Sequence, residues 1–476
     1  IFNVLTTYWI KNSTYFGFIM AILVNTVFIS TMFTIFHLSK RSLKNKSSGL
    51  LIFILFWLAF EYLHFRWEIN WPWLTTGNVF AFYPKWIQWY EYTGVLGGSL
   101  WVLIINTLVY KLVQNIINKE NKKRIIVTSF TIFVLFLIPL LISYNIFNNY
   151  IEKEDPYTVV VVQPNIDPYN EKYGGIAYDK QIKLMLELAE QETDENTDLV
   201  VFPESAIQEP SLWERELEHS YSMDSIRKFL DKYPNIDIIM GSSTYKRILE
   251  GEDKTYEARQ YGESNIWYYA YNTAMFMDTS KSIQLYHKSK LVLGVERMPL
   301  PKTLGFLKDF ALDMGGTVGT LAADKERTPF VSSKNSLNVG TTICYESLYG
   351  EFCNGFVKNG ANLLCIITND GWWGNTAGHR QHYSFAPLRA IETRRSIARS
   401  ANTGTSVFVN QRGEVFQPTD YWVKDVIKHN INANSKITFY VVYGDYIGRV
   451  SCFVAILLLL FAISRALINK KNDIKN

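Results

Sequence analysis

The chain has 476 residues, a hydrophobic fraction of 48% and a formal net charge of +4. That length exceeds one ordinary globular core. The small charge, with no basic cluster interleaved with aromatics, argues against nucleic acid as a partner.

The average conceals two materials. Residues 1–149 and 446–476 hold long apolar runs, whereas 150–445 reads as a charged, turn-rich α/β domain. The first residue is Ile1 and no signal peptide with a cleavage site follows, so a processed chain or a fragment is expected. Apolar segments near 15–38, 49–65, 93–114 and 125–147 are candidate membrane spans, and the last begins at 446. Their length and scarcity of charge favour spans over buried soluble helices. Three flanking segments are basic: Lys40–Lys46, Asn118–Arg124 and the tail Arg465–Lys475. If each run crosses once, all three fall on one side, and the positive-inside rule makes that side the cytoplasm. The segment 66–92 and the domain 150–445 then lie outside. Segment 66–92 holds Trp67, Trp71, Trp73, Trp86, Trp89, Tyr90 and Tyr92. It reads either as an interfacial aromatic belt or as a lipid-handling loop.

The domain opens on a strand, Tyr157–Gln163, followed by a helix around 180–192. The strand 198–202 runs into Pro203-Glu204. A strand over 236–240 ends in Gly241-Ser242-Ser243, and 271–277 with 282–288 reads as a hairpin. The strand Leu337–Ile343 leads to Cys344, and Leu363–Thr368 leads to Asn369-Asp370-Gly371-Trp372-Trp373-Gly374. A helix spanning roughly 380–398 precedes a last strand pair, 405–410 and a partner after Gly413. Strands alternating with helices suggest a layered α/β sandwich.

The four cysteines, Cys344, Cys353, Cys365 and Cys452, show no metal-ligand spacing and no disulfide framework. A thiol ending a strand before a turn, as Cys344 does, is placed like a nucleophile, although most such thiols are inert core residues. Glu204, after Phe202-Pro203, suits a general base; the plain alternative is a surface carboxylate. A cation can hold a thiolate and an oxyanion. Lys288 and Lys290 are equal candidates by composition, and either could instead be a solvated edge-strand lysine.

Phe202-Pro203-Glu204, Tyr286-His287-Lys288 and Cys344-Tyr345-Glu346 together resemble the Glu-Lys-Cys signature of the nitrilase superfamily. Asn369–Gly374 and Arg399–Ser406 resemble further blocks of it. With flanking membrane spans, the chain is similar to the apolipoprotein N-acyltransferase family. The resemblance implies an αββα sandwich inserted between transmembrane helices, and a bacterial inner-membrane protein with its catalytic domain on the periplasmic side. It selects Lys288 as the catalytic lysine. Glu296 ahead of Pro299, Asn272, Tyr345 and Glu346 become active-site support. Leu293-Gly294-Val295-Glu296 departs from the usual Pro-Phe-Gly-Glu, and Tyr173 stands where the family has an early tryptophan. The family has eight spans, so five fit a chain lacking the first three.

The implied reaction is ping-pong acyl transfer without metal or cofactor. Cys344 takes an acyl chain from a phospholipid, expected to be phosphatidylethanolamine, and passes it to the amine of a diacylglyceryl-cysteine lipoprotein. Trp372, Trp373 and Tyr173 could contact lipid; core packing is the alternative for the tryptophan pair. A membrane-anchored amidase or hydrolase, and a catalytically dead lipoprotein-binding scaffold, are the competing functions.

Overall fold

The computed structural model describes residues 1–43, 49–280, 282–298 and 320–475. Parts of two segments read above therefore lie outside the described residues: the basic loop beyond Leu43, and Pro299. Four described helices are long and apolar enough to cross a membrane: Tyr15–Ser42, Val95–Ile117, Lys122–Asn149 and Tyr446–Asn469. The expected span at 49–65 forms as the helix Gly49–His64. Its 16 residues rise about 24 Å, less than the ~30 Å of a bilayer's apolar layer. Ile52 and Phe56 of this helix pack on Met32, with Ala455 and Leu458 of the C-terminal helix against them.

The domain is built on two sheets. The first runs β13-β1-β2-β3-β5-β4, with β6 also paired to β5. Its strands are β1 (Pro156–Gln163), β2 (Leu199–Val201), β3 (Asp237–Arg247), β4 (Arg259–Gln260), β5 (Trp267–Met277), β6 (Ile283–His287) and β13 (Asp425–Asn432). The second runs β12-β11-β10-β9-β8-β7. It comprises β7 (Phe330–Val331), β8 (Asn338–Ile343), β9 (Leu363–Thr368), β10 (Ile397–Ala401), β11 (Val407–Val409) and β12 (Val415–Phe416).

Side chains alternate across a strand, so β1 serves two cores at once. Val159 and Val161 face the core shared with the second sheet. Val160 and Val162 face Ile182, Met185 and Leu188 of the helix Tyr178–Glu190, and Ile226 and Phe229 of the helix Tyr221–Lys232. The helices Gly350–Lys358 and Ala377–Thr393 cover the second sheet through Phe356, Val357, Leu388 and Ile391. This is the expected αββα sandwich.

Three boundaries differ from expectation. The strand expected to end at Gly241–Ser243 continues to Arg247 and stays paired with β5 from Ile238 to Arg247. Gly241 marks a close approach instead of a turn: a Cβ there would lie 2.5 Å from Ser205 N and 2.7 Å from Glu204 Cα. The helix expected to reach 398 stops at Thr393, because Arg394 turns left-handed (φ 50°) and releases the chain into β10. The pair after 405 is not the last, since β13 follows and lies antiparallel to β1 over eight residue pairs. Most of β13 is only half-buried, so it lacks the apolar alternation that marks a strand.

The aromatic segment 66–92 is largely part of the domain core. Trp73 and Tyr90 are buried in the core that contains the nucleophile strand, and Trp71, Trp86 and Trp89 pack against it. Buried Arg394 donates to Gln88 Oε1 at 2.7 Å and pairs with Glu91 at 2.8 Å, fixing this segment to the sandwich.

Candidate active site

Three strand ends deliver the predicted trio. Glu204 follows β2, Lys288 follows β6 and Cys344 follows β8, so both sheets contribute. Glu204 and Lys288 are buried, at 6% and 1% exposure. Lys288 Nζ donates to Glu204 Oε1 at 3.1 Å and to Glu296 Oε1 at 2.8 Å. Asn272 Nδ2 bridges the same two carboxylates, at 2.8 Å and 3.0 Å. The other Glu204 oxygen accepts the Asn369 N–H at 3.1 Å. β5 places Asn272 beside Lys288, whose backbone N–H donates to the Asn272 carbonyl at 2.8 Å.

Glu296 reaches the lysine from a tight turn. Gly294 adopts φ 78°, its N–H donates to the Arg297 carbonyl at 2.9 Å, and Glu296 Oε2 accepts the Val292 N–H at 2.8 Å. A side chain at 294 would strain that turn. The altered residues before Glu296 thus still deliver its carboxylate to Lys288.

Cys344 opens the short helix Cys344–Leu348 with φ 51°, a left-handed value that is costly outside glycine. Burial pushes its thiol well above the ordinary range, and Glu204 pushes it further. The Lys288 ammonium and a hydrogen bond with Thr368 act in the opposite direction. Burial opposes the charge on Lys288, but Glu204, Glu296 and Cys344 together hold its pKa well above that of a free lysine. The site therefore contains a protonated thiol, a fixed ammonium and a carboxylate in one electrostatic unit. A base must take the thiol proton before sulfur can attack.

Glu346 is buried and accepts from Ser289 N–H (2.6 Å), Lys290 N–H (3.2 Å), Ile343 N–H (2.9 Å) and the Tyr286 hydroxyl (2.8 Å). It fastens the end of β6 to the Cys344 turn. Burial pushes its carboxyl up to about 7, although those donors pull it down. Glu346→Ala leaves these donors without their acceptor and is expected to destabilise the protein by about 3 kcal/mol or more. A fall in melting temperature of the detergent-solubilised variant checks this, and an unchanged melting temperature contradicts it.

Tyr345 turns its hydroxyl to the 66–92 segment, donating to Asn70 Oδ1 at 3.1 Å. Tyr349 donates to the same oxygen at 2.5 Å. Asn70, in the aromatic segment 66–92, thus clamps the turn that Cys344 opens. Tyr173 stacks on Trp372, with ring centroids 6.1 Å apart, and the Tyr173 ring is 60% exposed. Trp373 packs edge-on against Trp9 and Trp73. The structure thus brings Glu204, Lys288, Cys344, Glu296 and Asn272 together, with Glu346 behind them. It sets Tyr345 and Trp373 into packing roles around them.

Sequence reasoning missed a buried cluster behind Cys344. His382 Nε2 lies 3.1 Å from the Cys344 carbonyl and Nδ1 lies 2.8 Å from Asp370 Oδ1, while Arg399 pairs with Asp370 at 2.6 Å. Despite its burial, Arg399 and His382 hold the Asp370 carboxyl far below the usual range. Lys172 was also missed: buried, it donates to the Glu204 carbonyl at 3.1 Å, and burial lowers its pKa to about 8. Asp370 and Arg399 stood inside the recognised blocks, but nothing in those blocks pointed to His382, on a helix whose apolar pattern is weak. Among the described residues no three His, Cys, Asp or Glu side chains gather as metal ligands would, and all four cysteines are free.

Residues 158–437 match the carbon-nitrogen hydrolase family, and residues 1–108 match the apolipoprotein N-acyltransferase N-terminal domain. The chain is 29% identical to the apolipoprotein N-acyltransferase of Chlorobaculum tepidum over 98% of its own length and 86% of the relative's. It is 24% identical to that of Geobacter metallireducens, over 86% of this chain and 73% of the relative. A solved carbon-nitrogen hydrolase from Helicobacter pylori is 16% identical, with a TM-score of 0.40, over 58% of this chain and 89% of that one.

Proposed function

The chain belongs to the carbon-nitrogen hydrolase family, as a member of its apolipoprotein N-acyltransferase branch, and on that premise we propose that it moves a fatty acyl chain from a phospholipid to a lipoprotein amine through a thioester on Cys344. The observation that carries this reading is the buried Lys288 ammonium, held by Glu204 and Glu296 and coupled to the Cys344 sulfur.

Glu204 takes the thiol proton, and the sulfur attacks an ester carbonyl of the donor, phosphatidylethanolamine. Negative charge gathers on the carbonyl oxygen, where Lys288 and the Tyr345 N–H stabilise it. Collapse breaks the ester C–O bond. The lysophospholipid leaves with the proton from Glu204, and the acyl group remains on sulfur. The free amine of a diacylglyceryl-cysteine then attacks the thioester. Glu204 takes the amine proton and returns one to the departing thiolate, which restores the enzyme. Asn272 orients both carboxylates. Glu346 and Asn70 act at one remove, holding the nucleophile turn. The Tyr173–Trp372 stack, with Tyr173 exposed and Trp372 half-buried, supplies an apolar wall for an acyl chain.

Basic flanks on the 15–43, 95–117 and 122–149 helices support a cytoplasmic placement for the ends remote from the domain, and hence a periplasmic site. Both lipid substrates present their reactive groups at that surface, which favours a membrane-anchored enzyme over an amidase for a soluble substrate.

The test is purified enzyme given phosphatidylethanolamine and a synthetic diacylglyceryl-cysteine peptide. N-acylated peptide and lysophospholipid should appear in equal amounts. Release of free fatty acid without acylated peptide would instead establish the hydrolase.

A further inference from the structure

Lys290 has no role in the chemistry above. It stands two residues beyond Lys288, half-buried, with Nζ 5.1 Å from the centroid of the Tyr349 ring. The carboxylate of Glu346 is near but is already committed to three N–H groups and the Tyr286 hydroxyl. Two more cations rest on the same helical turn. Arg66 pairs with Glu351, and the Arg327 guanidinium carbon lies 5.4 Å from the Phe352 ring centroid. The three arrive from different parts of the chain: the end of β6, the segment after the helix Gly49–His64, and the approach to β7. Glu351 is shared between Arg66 and Arg449, the latter at 3.2 Å. The charges of Lys290 and Arg327 are thus left without a paired carboxylate among the described residues. Half-buried cations without an ion-paired carboxylate, as Lys290 and Arg327 are, are costly unless an anion completes them. Burial first, and then Arg66, lowers the Lys290 pKa, with Glu346 acting in the opposite direction.

The cluster also lies where the donor lipid would be. Tyr349, which carries Lys290, sits edge-on to Tyr345 at 5.4 Å, and Tyr345 follows Cys344. Phe65, beside Arg66, touches the same Tyr349 ring at 6.4 Å. Lys288 and Lys290 are at most about 7 Å apart along the backbone. In a glycerophospholipid, six bonds separate the sn-1 ester carbonyl carbon from phosphorus, a comparable reach.

We infer that Lys290, with Arg66 and Arg327 beside it, binds the phosphodiester of the donor lipid while the lipid's ester carbonyl lies at Cys344. This rests on the acyl-transfer reading above. It adds a site that selects a phosphate-bearing donor and fixes which carbonyl meets the sulfur.

The experiment compares acylation of Cys344 from phosphatidylethanolamine with acylation from a phosphate-free p-nitrophenyl ester, in the full-length wild type, Lys290→Ala and Lys290→Arg. Acylation needs an ester, so free phosphate cannot produce the signal. The ratio of phospholipid to p-nitrophenyl ester kcat/KM should fall about tenfold or more in Lys290→Ala, mainly through KM, and recover in Lys290→Arg. An unchanged ratio, whether both rates hold or both fall together, overturns the phosphate site and leaves the acyl-transfer reading standing. Failure of the wild type to acylate Cys344 from either ester overturns both.

Discussion

Cys344→Ala is expected to lower N-acylation of a diacylated peptide by about 10⁶-fold, to the background of the uncatalysed reaction. The sulfur is the atom on which the acyl chain rests between donor and acceptor, and no other described thiol can replace it. Cys353 and Cys365 are buried, and burial pushes both thiols well above the ordinary range, with Arg389 offsetting it only in part at Cys353. The left-handed backbone at residue 344 and the His382 contact to its carbonyl belong to the turn. The variant should therefore keep its melting temperature within about 1 °C while losing its chemistry. Turnover comparable with wild type in a membrane devoid of other acyltransferases would remove Cys344 from the mechanism.

Glu204→Gln should cost about 10²–10⁴-fold, and the loss should appear in both halves of the reaction. The amide oxygen can accept either the Asn369 N–H or the Lys288 and Asn272 donors but not both, and it cannot take the thiol proton. Burial still holds the thiol up once the Glu204 charge is gone, and the amide cannot take its proton, so the resting variant forms thiolate poorly at neutral pH. Removing the negative charge also leaves buried Lys288 with Glu296 as its single ion-pair partner. Single-turnover mixing with phospholipid should show slow acylation, and transfer from a chemically loaded thioester to diacylglyceryl-cysteine peptide should be slow as well. A variant impaired only in the second half would assign the base of the first half to another residue.

Much of this arrangement was legible in the sequence because each triad residue ends a strand rich in apolar residues. Val200-Val201-Phe202 before Glu204 and the run before Cys344 are short buried strands, and such runs announce themselves. The carboxylate partner of the lysine was legible only through family resemblance, since Glu296 lies in a turn whose residues depart from the usual ones. What remained hidden was set by tertiary contact. Gly241 in sequence signals a turn; in the fold it lets β3 pass beside Glu204, and only the approach of two backbones distinguishes the two. The strand β13 carries Lys428, His429 and Asn430, and it is a strand because β1 offers it an edge. The aromatic segment 66–92 posed a choice between belt and lipid loop, and most of its tryptophans instead pack against the domain. Asn70 in that segment holds Tyr345 and Tyr349, a contact across 275 and 279 residues that no local pattern encodes.

The central claim is that an acyl chain rests on one sulfur between two lipids. Mass spectrometry of the Cys344 peptide, after incubation of the purified enzyme with phosphatidylethanolamine and no acceptor, tests it most directly. A fatty-acyl adduct on Cys344, removed by neutral hydroxylamine and discharged on adding diacylglyceryl-cysteine peptide, is the expected result. An unmodified Cys344 peptide alongside full N-acylation when acceptor is supplied would contradict it.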